Sequence, residues 1–230
     1  RLKVVGQVHW AVRLAGVRAP GLALGGGCAP SCAAIVDSGT SLITAPPQAR
    51  GMVAALERLV KPDCSNLDQL PVIRFQLENT VVELPPAAYI QRISSKPYKD
   101  AAIWRALTGS ARLGQMERCS VAFMEIDKES QHGPTWILGM PFLRYYRTVF
   151  DRVAKEVHIT RSTPTCDVQT GPGPVAFSNA TQWQAQDGQL VAGADSTRMF
   201  TAADYQPTEV DLGAARLPAW ALGPGRRLEV

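Results

Sequence analysis

Residues Ala33 to Pro46 read Ala-Ala-Ile-Val-Asp-Ser-Gly-Thr-Ser-Leu-Ile-Thr-Ala-Pro. Ala33–Val36 is a short apolar run with the character of a buried strand, and Ser41–Thr44 is a second strand that follows at once. Between them lies one carboxylate, Asp37, at the head of a turn made of Ser38, Gly39, Thr40 and Ser41. An acid between two buried strands is costly unless hydrogen bonds hold it. The hydroxyls of Ser38, Thr40 and Ser41 and the backbone at Gly39 are close enough in sequence to supply them. On its own, Asp-Ser-Gly is also the ordinary composition of an Asx turn.

About a hundred residues on, Thr135 to Asp151 runs Thr-Trp-Ile-Leu-Gly-Met-Pro-Phe-Leu-Arg-Tyr-Tyr-Arg-Thr-Val-Phe-Asp. The two stretches together resemble the pepsin-like aspartic peptidases, the family of pepsin and cathepsin D. The first is similar to that family's Asp-Thr/Ser-Gly signature, and the second to its hydrophobic-hydrophobic-Gly segment with the helix and strand after it. The resemblance implies a mainly β fold: a pepsin-like acid protease β lobe with short helices. In that fold the Asp-bearing loop and the Ile137-Leu138-Gly139 strand cross in a ψ-shaped arrangement. Gly139 would then be small because the loop backbone passes close by, the usual reason for glycine in a strand.

The resemblance extends to the cysteines. The chain has 5, and Cys28-Ala-Pro-Ser-Cys32 stands just before the Asp-bearing strand, while Cys64 and Cys119 flank the middle of the chain. The family's C-terminal lobe carries a short Cys-x-x-x-Cys loop in that place and a longer closed loop later. This implies Cys28–Cys32 and Cys64–Cys119 disulfides, an oxidising compartment, and an odd Cys166. The other reading is a set of free buried thiols. No metal is expected, because there is no Cys-x-x-Cys and His9, His132 and His158 stand apart without ligand spacing. No cofactor is expected either.

The likeness covers about Gln7 to Arg161 and matches the C-terminal half of a two-lobed enzyme. Asp63, Asp68, Asp100, Asp127 and Asp151 all lack a following Ser/Thr-Gly, so this chain holds a single signature carboxylate. An N-terminal lobe supplying the second Asp is the expected partner, with a peptide or protein as substrate. The chain's 230 residues and 46% hydrophobic content allow one substantial core and an appendage. A net charge of +4 is mild and dispersed, and gives no case for nucleic acid. The densest basic stretch, Arg92 to Arg118, reads as a solvated surface insertion, with an anionic surface or acidic substrate as the sharper alternative. No apolar run approaches the roughly 20 residues that span a bilayer. The expected location is the secretory pathway, either extracellular or in a lysosome- or vacuole-like compartment.

Periodicity places the remaining elements. Strands are expected at Val8–Leu14, in a hairpin of Val72–Leu77 and Val81–Leu84 about a Glu78-Asn79-Thr80 turn, and at Cys119–Ile126, Arg147–Phe150 and Glu156–Thr160. Met52, Ala55, Leu56, Leu59 and Val60 recur at helical spacing, so Gln48–Val60 reads as an amphipathic helix opened by Pro46-Pro47. Pro85 to Ile90 resembles the family's tyrosine-bearing loop, and Phe142–Tyr145 starts as a helical turn. Residues 1–164 are expected to form the lobe. Residues 165–230 are expected to form an irregular extension, rich in Gly, Pro, Gln, Ser and Thr between Asp167 and Val191. Asn179-Ala-Thr181 is the one N-glycosylation sequon, and makes Asn179 a candidate for modification.

The family's chemistry sets what each site residue is expected to do. Two carboxyls about 3 Å apart hold one water and share one proton, because like charges at that distance split their titrations. Asp37 is implied to be one of them. Ser38, Gly39, Thr40, Ser41, Ile137, Leu138 and Gly139 are implied to support it. Met140-Pro141 departs from the Gly-Asp or Gly-Ala that commonly follows Ile-Leu in the family, so the pH optimum does not carry over. The function expected is aspartic endopeptidase, with the 230-residue chain inactive alone. The alternative is a non-catalytic pepsin-fold binding or inhibitor module.

Overall fold

Two strands of this chain are apolar at nearly every position, and the fold buries both on two faces. They are β3 (Cys32–Val36), buried at all of its residues, and β11 (Gly133–Leu138), buried over its last four. In the computed structural model, which describes residues 1–23, 25–94, 117–162, 208–210 and 227–228, they lie side by side and parallel. Thr135 pairs with Ala33, Trp136 with Ala34, Ile137 with Ile35 and Leu138 with Val36. Cys32, Ala34, Val36, Trp136 and Leu138 face the main core, while Ala33, Ile35 and Ile137 face a smaller cluster with Ala11 and Ile126. Period-two alternation accounts for the split, since successive side chains point to opposite sides.

Around this pair the chain builds a nine-stranded sheet. β2 (Ala11–Arg18) lies antiparallel to β3 on one side and to β5 (Ile73–Leu77) on the other, and β6 (Thr80–Leu84) completes that edge. β4 (Ile43–Ala45) pairs antiparallel with β11 and parallel with β9 (Phe123–Glu125). β10 (Glu129–Ser130) turns back on β11 as a hairpin. A three-stranded sheet is formed by β1 (Leu2–Lys3), β13 (Glu156–Arg161) and β12 (Tyr146–Asp151). Another holds β7 (Ile90–Ser94) and β8 (Glu117–Val121). Among the described residues helices are few and short: α1 (Arg50–Leu59), α2 (Pro86–Tyr89) and α3 (Met140–Tyr145). The fold is a mainly β pepsin-like lobe, and no helix among the described residues is long and apolar enough to cross a membrane.

Several boundaries differ from the sequence reading, each for a local reason. The first long strand starts at Ala11 rather than Val8, because Ala11 N–H donates to the His9 carbonyl in a turn and Val8 stands 67% exposed. It then runs on to Arg18 through an irregularity between Leu14 and Gly16. The helix expected from Gln48 begins as a 3₁₀ turn, Pro47–Ala49, before α1. Cys119–Ile126 is two strands rather than one. The break is Ala122, whose N–H goes to the Tyr89 carbonyl while its own carbonyl accepts from Ile43 N–H.

The extension also contributes strands. β14 (Thr208–Val210) lies parallel to β7, and β15 (Arg227–Leu228) parallel to β10. Cys166 and Asn179 lie outside the described residues, as do residues 95–116 of the basic stretch between Arg92 and Arg118. Both remaining cysteine pairs are bonded. Cys28–Cys32 has a Cα–Cα distance of 5.1 Å and Cys64–Cys119 one of 5.4 Å.

Candidate active site

β3 ends by delivering Asp37 into a turn, and the turn closes on the carboxylate itself. Gly39 N–H donates to Asp37 Oδ1 at 2.9 Å, and the Thr40 hydroxyl donates to Asp37 Oδ2 at 2.7 Å. Thr40 is fully buried, while Asp37 is half-buried and Ser38 and Gly39 are exposed. The carboxylate therefore sits where the protein interior meets an open surface. Hydrogen bonds to a charged acceptor are shorter and stronger than neutral ones, so two of them hold the group in one orientation.

The backbone around the turn is tied to the partner strand. Asp37 N–H donates to the Leu138 carbonyl at 3.2 Å, and Met140 N–H donates to the Thr40 carbonyl at 2.8 Å. One stretch of chain thus passes down β3, through the Asp37 turn, and back along β4, with β11 between its two arms. β11 is parallel to one arm and antiparallel to the other. Gly139 stands where β11 leaves this crossing. A Cβ there would run into the backbone carbonyl oxygens of Leu42 and Thr40, so only glycine lets the two segments approach this closely. Gly39 is under a milder constraint, since an added Cβ would lie 3.2 Å from Asp37 Oδ1. Ile137 and Leu138 are 0% exposed and contribute apolar packing on opposite faces of β11.

Asp37, Gly39, Thr40, Leu138 and Gly139 are therefore brought into one connected arrangement. Ser41 is half-buried at the start of the returning arm. The sequence did not single out Leu42, whose carbonyl helps dictate glycine at 139, or Trp10, whose carbonyl takes Val36 N–H at 2.9 Å. Backbone carbonyls leave no residue-type signal. Gly139 was the available clue to the first of these contacts.

A family model described as eukaryotic aspartyl protease matches residues 1–162. The chain belongs to the eukaryotic aspartyl protease family. Among aspartyl proteases it is similar to cathepsin E of Rattus norvegicus, 29% identical over 169 residues that make up 71% of this chain and 37% of the relative. It is similar to cathepsin D of Chionodraco hamatus, 30% identical over 70% of this chain and 37% of the relative. Pepsin A of Sus scrofa is 31% identical over 65% of this chain and 34% of its own length. The chain thus spans little more than a third of these aspartyl proteases.

Proposed function

We propose that this chain is the C-terminal lobe of an aspartic endopeptidase, with Asp37 as one of two catalytic carboxyls and an N-terminal lobe supplying the other. The observation that carries this reading is the bracing of Asp37: each carboxylate oxygen accepts one hydrogen bond from its own turn, and the group stays half-exposed. An Asx turn serving only structure needs no ψ-shaped crossing behind it. Nor does it need a glycine at 139 to let that crossing close.

In the proposed reaction the two carboxyls face each other across one water and share a proton. The ionised member takes a proton from the water as it attacks the peptide carbonyl. The protonated member donates to the carbonyl oxygen and stabilises the tetrahedral intermediate. Gly39 N–H and the Thr40 hydroxyl fix the orientation of Asp37, each donating to one of its carboxylate oxygens. In this reading Ser38, which is exposed beside Asp37, braces the loop against its counterpart in the other lobe. The substrate is a peptide held extended in the cleft between lobes. The two disulfides fit a secretory, lysosomal or vacuolar location, where such bonds persist.

A non-catalytic binding or inhibitor module on the same fold is the second reading, and an N-terminal lobe without its own Asp-Thr/Ser-Gly would favour it. The two are separated with the two-lobed protein and a peptide whose scissile carbonyl is replaced by a tetrahedral hydroxyl. Such a transition-state mimic should bind at least about a hundredfold tighter than the matching substrate peptide if the site is catalytic. Equal affinity for the two peptides, with no cleavage of the substrate, would identify a binding module.

A further inference from the structure

The Asp37 turn is tied to its surroundings through backbone on both sides of β3. On one side, Asp37 N–H donates to the Leu138 carbonyl and Met140 N–H to the Thr40 carbonyl. On the other, Val36 N–H donates to the Trp10 carbonyl at 2.9 Å. Val36 is the last residue before Asp37, so this bond sets the direction in which β3 hands over the carboxylate. Trp10 stands just before β2, whose first residue, Ala11, pairs with Ile35. The bond is thus the outermost rung of the β2–β3 ladder, at an end where pairing opens most readily unless something holds it.

The Trp10 side chain is placed to hold it. Its ring meets the ring of Phe150 with centroids 5.0 Å apart and planes tilted by 50°, within the range of favourable aromatic pairs. Both side chains are half-buried and pack against the main core. Phe150 belongs to β12 in the three-stranded sheet, so the contact joins that sheet to the one carrying Asp37. β12 continues directly from α3, and α3 starts at the residue after Gly139. The ties therefore close into a circuit. It runs from Asp37 through Val36 to Trp10, across the rings to Phe150, along β12 and α3 to Gly139, and through Met140 back to the Asp37 turn. The link between Trp10 and Phe150 is made by side chains, so substitution can open the circuit there.

We propose that Trp10 is a positioning residue for the carboxyl of Asp37: its ring, docked on Phe150, holds the carbonyl that receives Val36 N–H and so fixes the end of β3 from which Asp37 projects. Trp10 acts through the backbone of β3 and takes no part in the proton transfers. The inference rests on the reading of Asp37 as one of two catalytic carboxyls. A reacting group displaced by about 1 Å can lose about a hundredfold in rate. A substrate held along the whole cleft feels that displacement little, whereas the transition state at the scissile bond feels it fully, so the effect belongs in kcat.

The test is steady-state peptide cleavage by the two-lobed protein and its variants, at a temperature where urea unfolding shows each to be folded. Trp10→Ala should lower kcat about tenfold with KM within about twofold, and should weaken binding of the tetrahedral-hydroxyl peptide by the same factor as kcat. Trp10→Phe keeps a ring for Phe150 to meet and should recover most of the loss. Phe150→Leu keeps an apolar side chain and removes the ring face. It should repeat the defect of Trp10→Ala, the double variant should be no worse than either single one, and it carries the test if Trp10→Ala does not fold. A residue with a structural role alone would lower the melting temperature and leave kcat of the folded protein unchanged. Unchanged kcat in Trp10→Ala and Phe150→Leu, or losses that multiply in the double variant, would overturn the inference. Asp37→Asn is assayed alongside. If it is inactive while Trp10→Ala keeps full kcat, the positioning role alone falls; if it cleaves undiminished, the catalytic reading of Asp37 falls and takes the positioning role with it.

Discussion

Asp37 and Gly139 meet through backbone rather than through side chains, which makes glycine at 139 a requirement of the site's construction. Gly139→Ala would press a methyl group into two carbonyl oxygens that belong to the Asp37 turn and to the segment leading into β4. Neither oxygen sits on a flexible side chain, so one segment must shift. Overpacking of this kind costs about 1–3 kcal/mol, and the upper end is expected here because only backbone can yield. Urea unfolding of the variant checks the stability loss. Asp37 itself was legible because its motif is local in sequence: the acid, its glycine and its hydroxyl donor are neighbours. The resemblance itself implies Thr40 as a hydroxyl donor to Asp37; in the structure Gly39 N–H and the Thr40 hydroxyl hold the carboxylate, while Ser38 is exposed.

Elements in this lobe are locked by a small number of polar ties whose strength can be measured. The edge of β6 is capped by Tyr146, which is 2% exposed: its hydroxyl accepts from Glu83 N–H at 3.0 Å and donates to the Glu83 carbonyl at 2.6 Å. Burial pushes the Tyr146 hydroxyl above its usual titration range, so it stays a donor. Tyr146→Phe strips both bonds from a strand edge and should cost about 1–3 kcal/mol, measured by thermal or urea unfolding. The Arg50–Glu125 pair ties α1 to β9 through Arg50 Nε to Glu125 Oε2 at 2.7 Å and Arg50 Nη2 to Oε1 at 2.6 Å. The hydrogen bond from Arg50 holds the Glu125 carboxyl below its usual value. A carboxylate with a lowered folded pKa stabilises the fold above its unfolded pKa and loses that contribution as pH falls through the folded one. Both side chains are largely exposed, so the effect is small and screened by salt. Glu125→Gln should therefore lower the melting temperature slightly at about pH 6, and the difference should shrink as the pH falls and Glu125 protonates. A difference that persists in acid would show that the loss comes from packing. The hairpin of β5 and β6 and the helical turn at 142–145 were readable from alternation and proline placement. The division of Cys119–Ile126 into two strands was not, because Ala122 breaks the run through bonds to Tyr89 and Ile43, both remote in sequence.

The molecule as a whole is held by two covalent loops of very different size, 4 and 55 residues in sequence separation. In the chain-entropy account, closing the long loop removes about 4 kcal/mol of unfolded-state freedom and the short one about 2 kcal/mol. Cys64→Ser should lower the melting temperature more than Cys28→Ser, and calorimetry on the two variants decides the order. The short loop precedes β3 directly, so it narrows the approach of the strand that carries Asp37 more than it adds to global stability. The lobe's likeness to the aspartyl proteases was plain in the sequence, since two motifs about a hundred residues apart had to be neighbours in space. The two strand additions by the extension were not. Segments of 2 and 3 residues carry no period, and their partners are set by edges that exist only once the lobe has folded. The most direct measurement is peptide cleavage by the 230-residue chain alone, by the two-lobed protein, and by the two-lobed protein carrying Asp37→Asn. The account predicts no cleavage by the single chain, cleavage by the two-lobed protein, and a loss of about a thousandfold or more in the variant. Cleavage that survives Asp37→Asn undiminished, or that the single chain performs independently of its concentration, would contradict it.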